Sequence, residues 1–222
     1  MADLGSLDAD EPLARRRHRH WFDRLMMLSD GVFAIAITFL AADIVNPAGW
    51  AGDWAGLWTR LEPQLESYSM SFLVISIYWL AHRRFMAMIL TVDAPVTVIT
   101  LAALGLVALL PAATRLISAY ARFPAARLTY AGLVVAIGMA LALLWGYAAL
   151  IARVVSPEVG WRLRWFILLL ILLTPPFFLI LTLAIPQPYH AETPFALLGL
   201  FLIGWRMRRW TIGRLGGNRY VG

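Results

Sequence analysis

The chain has 222 residues, of which 61% are hydrophobic and only 14% are charged. A water-soluble domain carries roughly a quarter charged residues, so the composition excludes an ordinary soluble protein and predicts an integral membrane protein. The net charge of +6 would suit nucleic acid, but the arginines lie at the ends of apolar runs, so membrane orientation is favoured and no nucleic-acid partner is expected.

The first twenty residues are predicted to be a disordered cytoplasmic tail (1–20), acidic at first and then basic, with the run RRRHRH at its end. The apolar run that follows, over 24–45, has about 20 residues, enough to cross a hydrocarbon core roughly 30 Å thick. A cleaved signal peptide would place a shorter apolar stretch before a small-residue cleavage site. This run is therefore predicted to stay attached as the first membrane span.

Five further apolar segments follow, so six transmembrane helices are expected. The chain is predicted to be an all-α integral membrane protein with one transmembrane domain over 21–213 and a cytoplasmic C-terminal tail over 214–222. Pro175 and Pro176 are adjacent in the fifth segment and are expected to kink or break it. The later spans are predicted at 61–81, 92–110, 128–152, 165–185 and 194–210.

The arginines determine the expected orientation, and the chain contains no lysine. With a cytoplasmic N-terminus and six spans, 15 of the 19 arginines fall on the cytoplasmic side, as the positive-inside rule requires. Both termini are therefore predicted to be cytoplasmic. A multi-pass protein with no organellar sorting signal is expected in a prokaryotic plasma membrane.

The first span contains polar groups that a purely lipid-facing helix would lack, namely Arg24, Ser29, Asp30 and Thr38. Such groups are costly in hydrocarbon and usually face a bundle interior or a water-filled path. One helix face carries residues that follow each other at steps of three and four, namely Ile35, Thr38 (or Phe39) and Ala42. Polar groups at the entrance and an apolar stripe with a hydroxyl further in are typical of a pore-lining helix.

Arg24 and Asp30 are six residues apart and lie on different sides of the helix, so they cannot pair with each other. Their partners are expected from neighbouring helices, where they would hold the first helix in place rather than bind an ion. At the matching depth, the candidate partners for the aspartate and the adjacent Ser29 are Trp79 and His82. The candidate partner for the arginine is Asp93.

Asp43 lies near the outer end of the first span. A ring of these carboxylates would concentrate cations at an outer mouth. The residues alone leave a second interpretation open, in which Asp43 caps or bonds to the neighbouring loop.

Three elements together resemble the transmembrane protein 175 family of organellar and bacterial potassium channels. The first is Arg24, then Ser29-Asp30 and Gly31-Val-Phe-Ala-Ile-Ala-Ile-Thr38, with Leu28 where the family has phenylalanine. The others are Tyr78-Trp79-x-x-His82 and Leu109-Leu110-Pro111. The resemblance covers roughly the first 115 residues.

This resemblance implies a homotetramer in the lipid bilayer, with the first helices of four subunits enclosing a K⁺ pore and no re-entrant pore loop. By the same resemblance Ile35 is the constricting residue, and the hydroxyl of Thr38 contributes to potassium preference. Phe39 and Ala42 are the next positions near that face, and Ala42 replaces an expected leucine. The implied function is a modestly potassium-selective channel.

Other classes fit the sequence less well. A secondary transporter would favour broken helices and an internal repeat, and a proton-permeable pore of the same fold is a further alternative. An enzyme is not expected, because Asp30 with His82 is the only acid–base pair that the spans offer. No cofactor and no structural metal site are predicted, since cysteine is absent and the four histidines show no ligand spacing.

Overall fold

The computed structural model describes residues 13–42, 44 and 50–184, and this part of the chain is built from helices without strands. The described helices are α1 (Leu13–Ala42), α2 (Trp54–Met88), α3 (Ala94–Ala108), α4 (Leu110–Tyr120), α5 (Pro124–Gly146), a π-helical turn (Tyr147–Ile151) and α6 (Trp161–Ala184). The predicted all-α class is therefore confirmed for the described residues.

Three described helical stretches are long and apolar enough to cross a membrane: His20–Ala42, Ala94–Tyr120 and Pro124–Ile151. The helices α2 and α6 are also of spanning length, with 35 and 24 residues. The sixth predicted span at 194–210 and the tail at 214–222 lie outside the described residues. The count of six spans and the extent of the domain therefore stay predictions.

The first two helices begin well before their predicted starts. The first starts at Leu13, so residues 13–20 are helical although the sequence predicted a disordered tail over 1–20. The second starts at Trp54 instead of near residue 61, because the Asp53 carboxylate accepts a hydrogen bond of 2.8 Å from the Gly56 amide. An aspartate at the N-cap satisfies one of the free amides of the first turn.

Neither Pro111 nor the pair Pro175 and Pro176 ends its span. Pro111 was expected near the end of the third span, but the chain turns at Leu109 and a new helix continues to Tyr120. Proline is tolerated in a first helical turn, where its missing N–H has no partner to lose. Pro175 and Pro176 lie inside the continuous helix α6, so the expected break does not occur.

The core is centred on α5, which packs against α2, α3, α4 and α6. Its largest fully buried side chains are Trp145 and Tyr130, and the Trp145 ring lies 5.3 Å from that of Phe85 on α2. The first helix packs on α2, α3 and α4. It is therefore supported by the bundle without lying at its centre.

Hydroxyl groups connect α2, α4 and α5 inside this core. Thr114 donates to Ser71 over 2.8 Å, and the Ser71 hydroxyl lies 3.0 Å from that of Tyr130. One turn after Tyr130 on α5, the Val134 carbonyl accepts a hydrogen bond of 2.7 Å from the Tyr78 hydroxyl. Each of these four hydroxyls thus has a partner, as burial in an apolar surrounding favours, whereas the buried Thr100 hydroxyl has none among the described residues.

The helices α5 and α6 approach closely at Gly138. A Cβ atom at this position would lie 2.9 Å from Cβ of the buried Pro175 and 3.2 Å from the Tyr78 hydroxyl. Both contacts are shorter than real Cβ atoms normally make. Pro175, a residue type that is disfavoured inside a helix, thus packs against Gly138, which has no side chain.

We predict that Gly138→Ala destabilises the protein by about 1–3 kcal/mol, because the added methyl group overpacks this contact. Thermal unfolding in detergent would measure the shift. Gly132→Ala is the matched control on the same helix, since a Cβ there meets nothing within 4 Å. It should be neutral or slightly stabilising, because alanine is the better helix former. Equal midpoints for the two variants would contradict the close approach.

Candidate functional site

The first helix has two distinct faces. One face is buried in the bundle and is formed by small and apolar side chains at steps of three and four: Leu25, Ser29, Phe33, Ala36 and Leu40. On α2 the Phe33 ring meets His82, with 5.9 Å between the ring centroids. These contacts determine which side of α1 is left uncovered.

The uncovered face carries the residues that the sequence placed on a shared stripe. Ile35 is 55% exposed and Phe39 is 54% exposed, and Thr38 and Ala42 are exposed as well. The same face continues toward the N-terminus through Leu28 and Arg24. No other described helix covers these side chains, so the site is a surface that a single chain presents outward.

The Thr38 hydroxyl is oriented by its own helix. It donates a hydrogen bond of 2.8 Å to the Ile35 carbonyl, one turn earlier. A hydroxyl has one proton and two lone pairs, so donation to the backbone leaves the oxygen lone pairs available on the exposed side. The group can therefore act as an acceptor or as a ligand to a cation.

Asp30 is held by an indole. The Trp79 Nε1–H donates to Oδ1 of Asp30 over 2.8 Å, which links α1 to α2. The Arg83 guanidinium lies 5.5 Å from the centroid of the same Trp79 ring, within cation–π range. One aromatic side chain therefore connects an acidic residue and a basic residue at the same end of the bundle.

Two other expected contacts of this network do not form. The buried Ser29 hydroxyl donates to the Leu25 carbonyl over 2.7 Å instead of bonding to Trp79 or His82. His82 is buried, and its Nε2 has no hydrogen-bond partner among the described residues. The expectation that His82 bonds to Ser29 or Asp30 is wrong for this structure, because a helical serine reaches its own backbone first.

Asp93 does not pair with Arg24 in the described structure. Its Oδ1 accepts from the Val96 amide over 2.9 Å and caps α3, and its Oδ2 accepts from the Tyr147 hydroxyl over 2.7 Å. Both carboxylate oxygens are thus used on the α3 and α5 side. Arg24 is exposed and has no hydrogen bond or ion pair with a described residue. Asp43 lies outside the described residues.

Two polar side chains have structural roles that sequence reasoning missed. Tyr147 reaches Asp93 across 54 residues of chain, and no local pattern marks such a pair. Arg164 donates to the carbonyls of Ala149 and Val159, each over 2.8 Å. The sequence counted this arginine only as a charge that sets orientation. The available signal in the sequence for this role was the position of Arg164 next to the apolar run of α6.

The fold and the site define an all-α integral membrane protein whose first helix docks by one face and leaves the other face exposed. The family model described as "Endosomal/lysosomal potassium channel TMEM175" matches residues 24–111, the stretch on which the sequence resemblance rests. The chain is 35% identical over 141 residues to a protein of Streptomyces collinus named as a potassium channel, covering 61% of this chain and 68% of that protein.

A second relative, from Chamaesiphon minutus, is also named as a potassium channel and is 32% identical over 141 residues, 61% of this chain and 70% of the relative. The fold is similar to the crystal structure of a lysosomal potassium-selective channel TMEM175 homolog from Chamaesiphon minutus. Its TM-score is 0.64 at 25% identity, and the match covers 85% of this chain and 98% of that one. The chain therefore belongs to the TMEM175 family.

We predict that the Asp30–Trp79 hydrogen bond stabilises the position of α1. Asp30→Ala and Trp79→Phe should each lower the midpoint of thermal unfolding. The double variant should have the same midpoint as the less stable single variant, which corresponds to a coupling free energy of about 1 kcal/mol between the two residues. Asp23→Ala is the control, because Asp23 is exposed on the same helix and has no described partner. Strictly additive midpoints would contradict the coupling.

Proposed function

We propose that four copies of this chain form a modestly potassium-selective channel in which α1 of each subunit lines a central pore. The observation that carries the proposal is the face of α1 that the subunit's own described helices leave exposed. This face carries Ile35, Phe39 and a Thr38 hydroxyl that can act as a ligand to a cation. Four such faces around one axis would line an ion path. The two named relatives are potassium channels, which supports the same ion.

The proposed constriction is a ring of four Ile35 side chains. A ring of branched apolar groups forms a hydrophobic neck that resists wetting and so opposes ion passage until it widens. Thr38 lies three residues further, about 4.5 Å along the helix axis at 1.5 Å per residue. The Thr38 hydroxyl oxygens of the four subunits would replace part of the hydration shell of an ion that has passed the neck.

Small residues on α1 fit close assembly of the subunits. A Cβ on Gly31 would meet nothing within 4 Å inside the chain, so packing within the subunit does not require glycine there. Ala34 and Ala42 are exposed on neighbouring parts of the helix. Small side chains let helices in a membrane approach closely. Arg24, which has no partner among the described residues, and a ring of Asp43 are proposed to face the two mouths.

The proposed setting is a plasma membrane with both termini cytoplasmic. In this orientation the arginines near the end of α2 and around the loop from α5 to α6 would lie on the cytoplasmic side, as the positive-inside rule favours: Arg83, Arg84, Arg153, Arg162 and Arg164. The proposed activity is passive and involves no chemical step. A proton-permeable pore or a coupled transporter would use the same face, and flux measurements separate these outcomes.

The deciding experiment is ion flux from liposomes containing purified protein, driven by an outward potassium gradient and repeated with sodium. Fast flux that follows the gradient and favours potassium supports the channel. Saturating flux that requires a counter-ion would show a transporter, and flux that continues unchanged with protons as the only permeant cation would show a proton pore. Tetramer assembly is measured on the same sample by its mass in detergent.

We predict that Thr38→Ala lowers the potassium-to-sodium permeability ratio, because the ring loses the oxygens that replace hydration. Reversal potentials under bi-ionic conditions measure the ratio. Thr129→Ala is the matched control, since Thr129 is also exposed on a helix and donates to the carbonyl one turn earlier, that of Ala125. A ratio unchanged in Thr38→Ala would remove Thr38 from the selectivity site.

We predict that Ile35→Asn increases conduction several-fold, because a polar ring wets the neck and lowers its barrier. Ile35→Val is the control that keeps the ring apolar, and it should conduct about as the wild type does. Single-channel recording separates a higher open probability from a higher conductance. Unaltered flux in Ile35→Asn would place the constriction elsewhere.

A further inference from the structure

The loop that joins α5 to α6 is held rigidly against the loop between α2 and α3. The Leu90 amide donates to the Val154 carbonyl over 2.9 Å, and the Ser156 amide donates to the Met88 carbonyl over 3.0 Å. Arg164 adds its bonds to the carbonyls of Ala149 and Val159 from the start of α6. This junction fixes the backbone on both sides of Arg153.

Arg153 occupies a backbone conformation that favours glycine. Its φ is 55°, and it is the one described residue other than glycine with positive φ. The flanking amides are anchored, since Ala152 donates to the Tyr147 carbonyl over 2.8 Å and Val154 donates to that of Ala148 over 3.0 Å. The arginine side chain is exposed and has no described partner, so a charged group stands out from a strained and immobile backbone.

The start of α6 carries a second exposed arginine and two exposed tryptophans. Arg162 is exposed and has no described partner. Trp161 and Trp165 are 56% and 48% exposed, and their rings meet edge to face with 5.6 Å between centroids. Exposed indoles of this kind are typical of the headgroup level of a bilayer, where an apolar ring with a polar N–H is stable.

An apolar path leads from these residues along α6. Leu169, Leu172 and Leu173 are exposed on the side of the helix that follows Trp165 at steps of three and four. Their exposure is what a membrane helix presents to acyl chains. Arg162 therefore lies at the N-terminal end of this apolar stripe, and the Arg164 hydrogen bonds hold the loop that carries Arg153 against the same end of α6.

We propose that Arg153 and Arg162 bind the headgroup of an anionic phospholipid, with Trp161 and Trp165 flanking it and the acyl chains lying along α6. Charge complementarity selects the occupant, since two exposed guanidinium groups without partners among the described residues suit a phosphodiester with a net negative charge. The predicted orientation places the site in the cytoplasmic leaflet, whose negative surface attracts arginines. The site lies on the outer surface of the subunit and is separate from the α1 face.

The test is the thermal stability of the full-length protein in detergent with added phosphatidylglycerol or phosphatidylcholine, together with the number of retained lipids from native mass spectrometry. The wild type should retain phosphatidylglycerol in preference, with each arginine contributing about fivefold to that preference. Arg153→Gly combined with Arg162→Gln should remove the preference. Glycine suits the left-handed backbone, so this variant keeps the fold, and its stability without lipid should not fall.

Arg122→Gln is the matched control, because Arg122 is also exposed but lies before α5, at the opposite end of that helix from Arg153, with its guanidinium 4.9 Å from the Phe123 ring. It should retain the wild-type preference. Equal retention of the two lipids by the wild type, or an undiminished preference in the double variant, would overturn the proposal. Stabilisation by inorganic phosphate equal to that by phosphatidylglycerol would overturn the assignment to a lipid.

Discussion

Polar groups in the apolar helices of this protein depend on partners within hydrogen-bonding reach, because hydrocarbon provides none. Ser29 and Thr38 satisfy their hydroxyls on their own helix, and Thr114 and Tyr78 do so across the core. This constraint determines where α1 sits. Its buried face needs nothing from its neighbours beyond apolar packing, and Asp30 alone reaches out to an indole for support.

The docking of α1 determines the proposed pore. Since Leu25, Phe33 and Leu40 occupy the bundle, the side with Ile35 and Thr38 is left facing outward. A pore built in this way needs no separate loop, because the helix that anchors each subunit also supplies its lining. Selectivity would then rest on hydroxyl oxygens set by side-chain rotamers, which suits a modest preference between potassium and sodium.

The opposite side of the subunit shows a different use of arginine. Arg164 donates to backbone carbonyls and stabilises the junction after α5, whereas Arg153 and Arg162 have no partner among the described residues. The positive-inside rule counts all three arginines alike, although the structure gives only Arg164 hydrogen bonds to the described backbone.

The membrane class and the candidate face of α1 could be predicted from composition and helical periodicity, because these are local properties that survive in any packing. The family was indicated by motif resemblance over the first part of the chain. The sequence also indicated that Asp30 would meet Trp79. The folded bundle was needed to show that Asp93 bonds to Tyr147 and that α6 continues across Pro175, where Gly138 of α5 packs against it. These contacts depend on distances between helices far apart in sequence, which neither hydropathy nor spacing along one helix contains. The Ser29 bond to the Leu25 carbonyl is local, but the sequence leaves a choice between that carbonyl and a neighbouring helix, and the packing of α1 settles it.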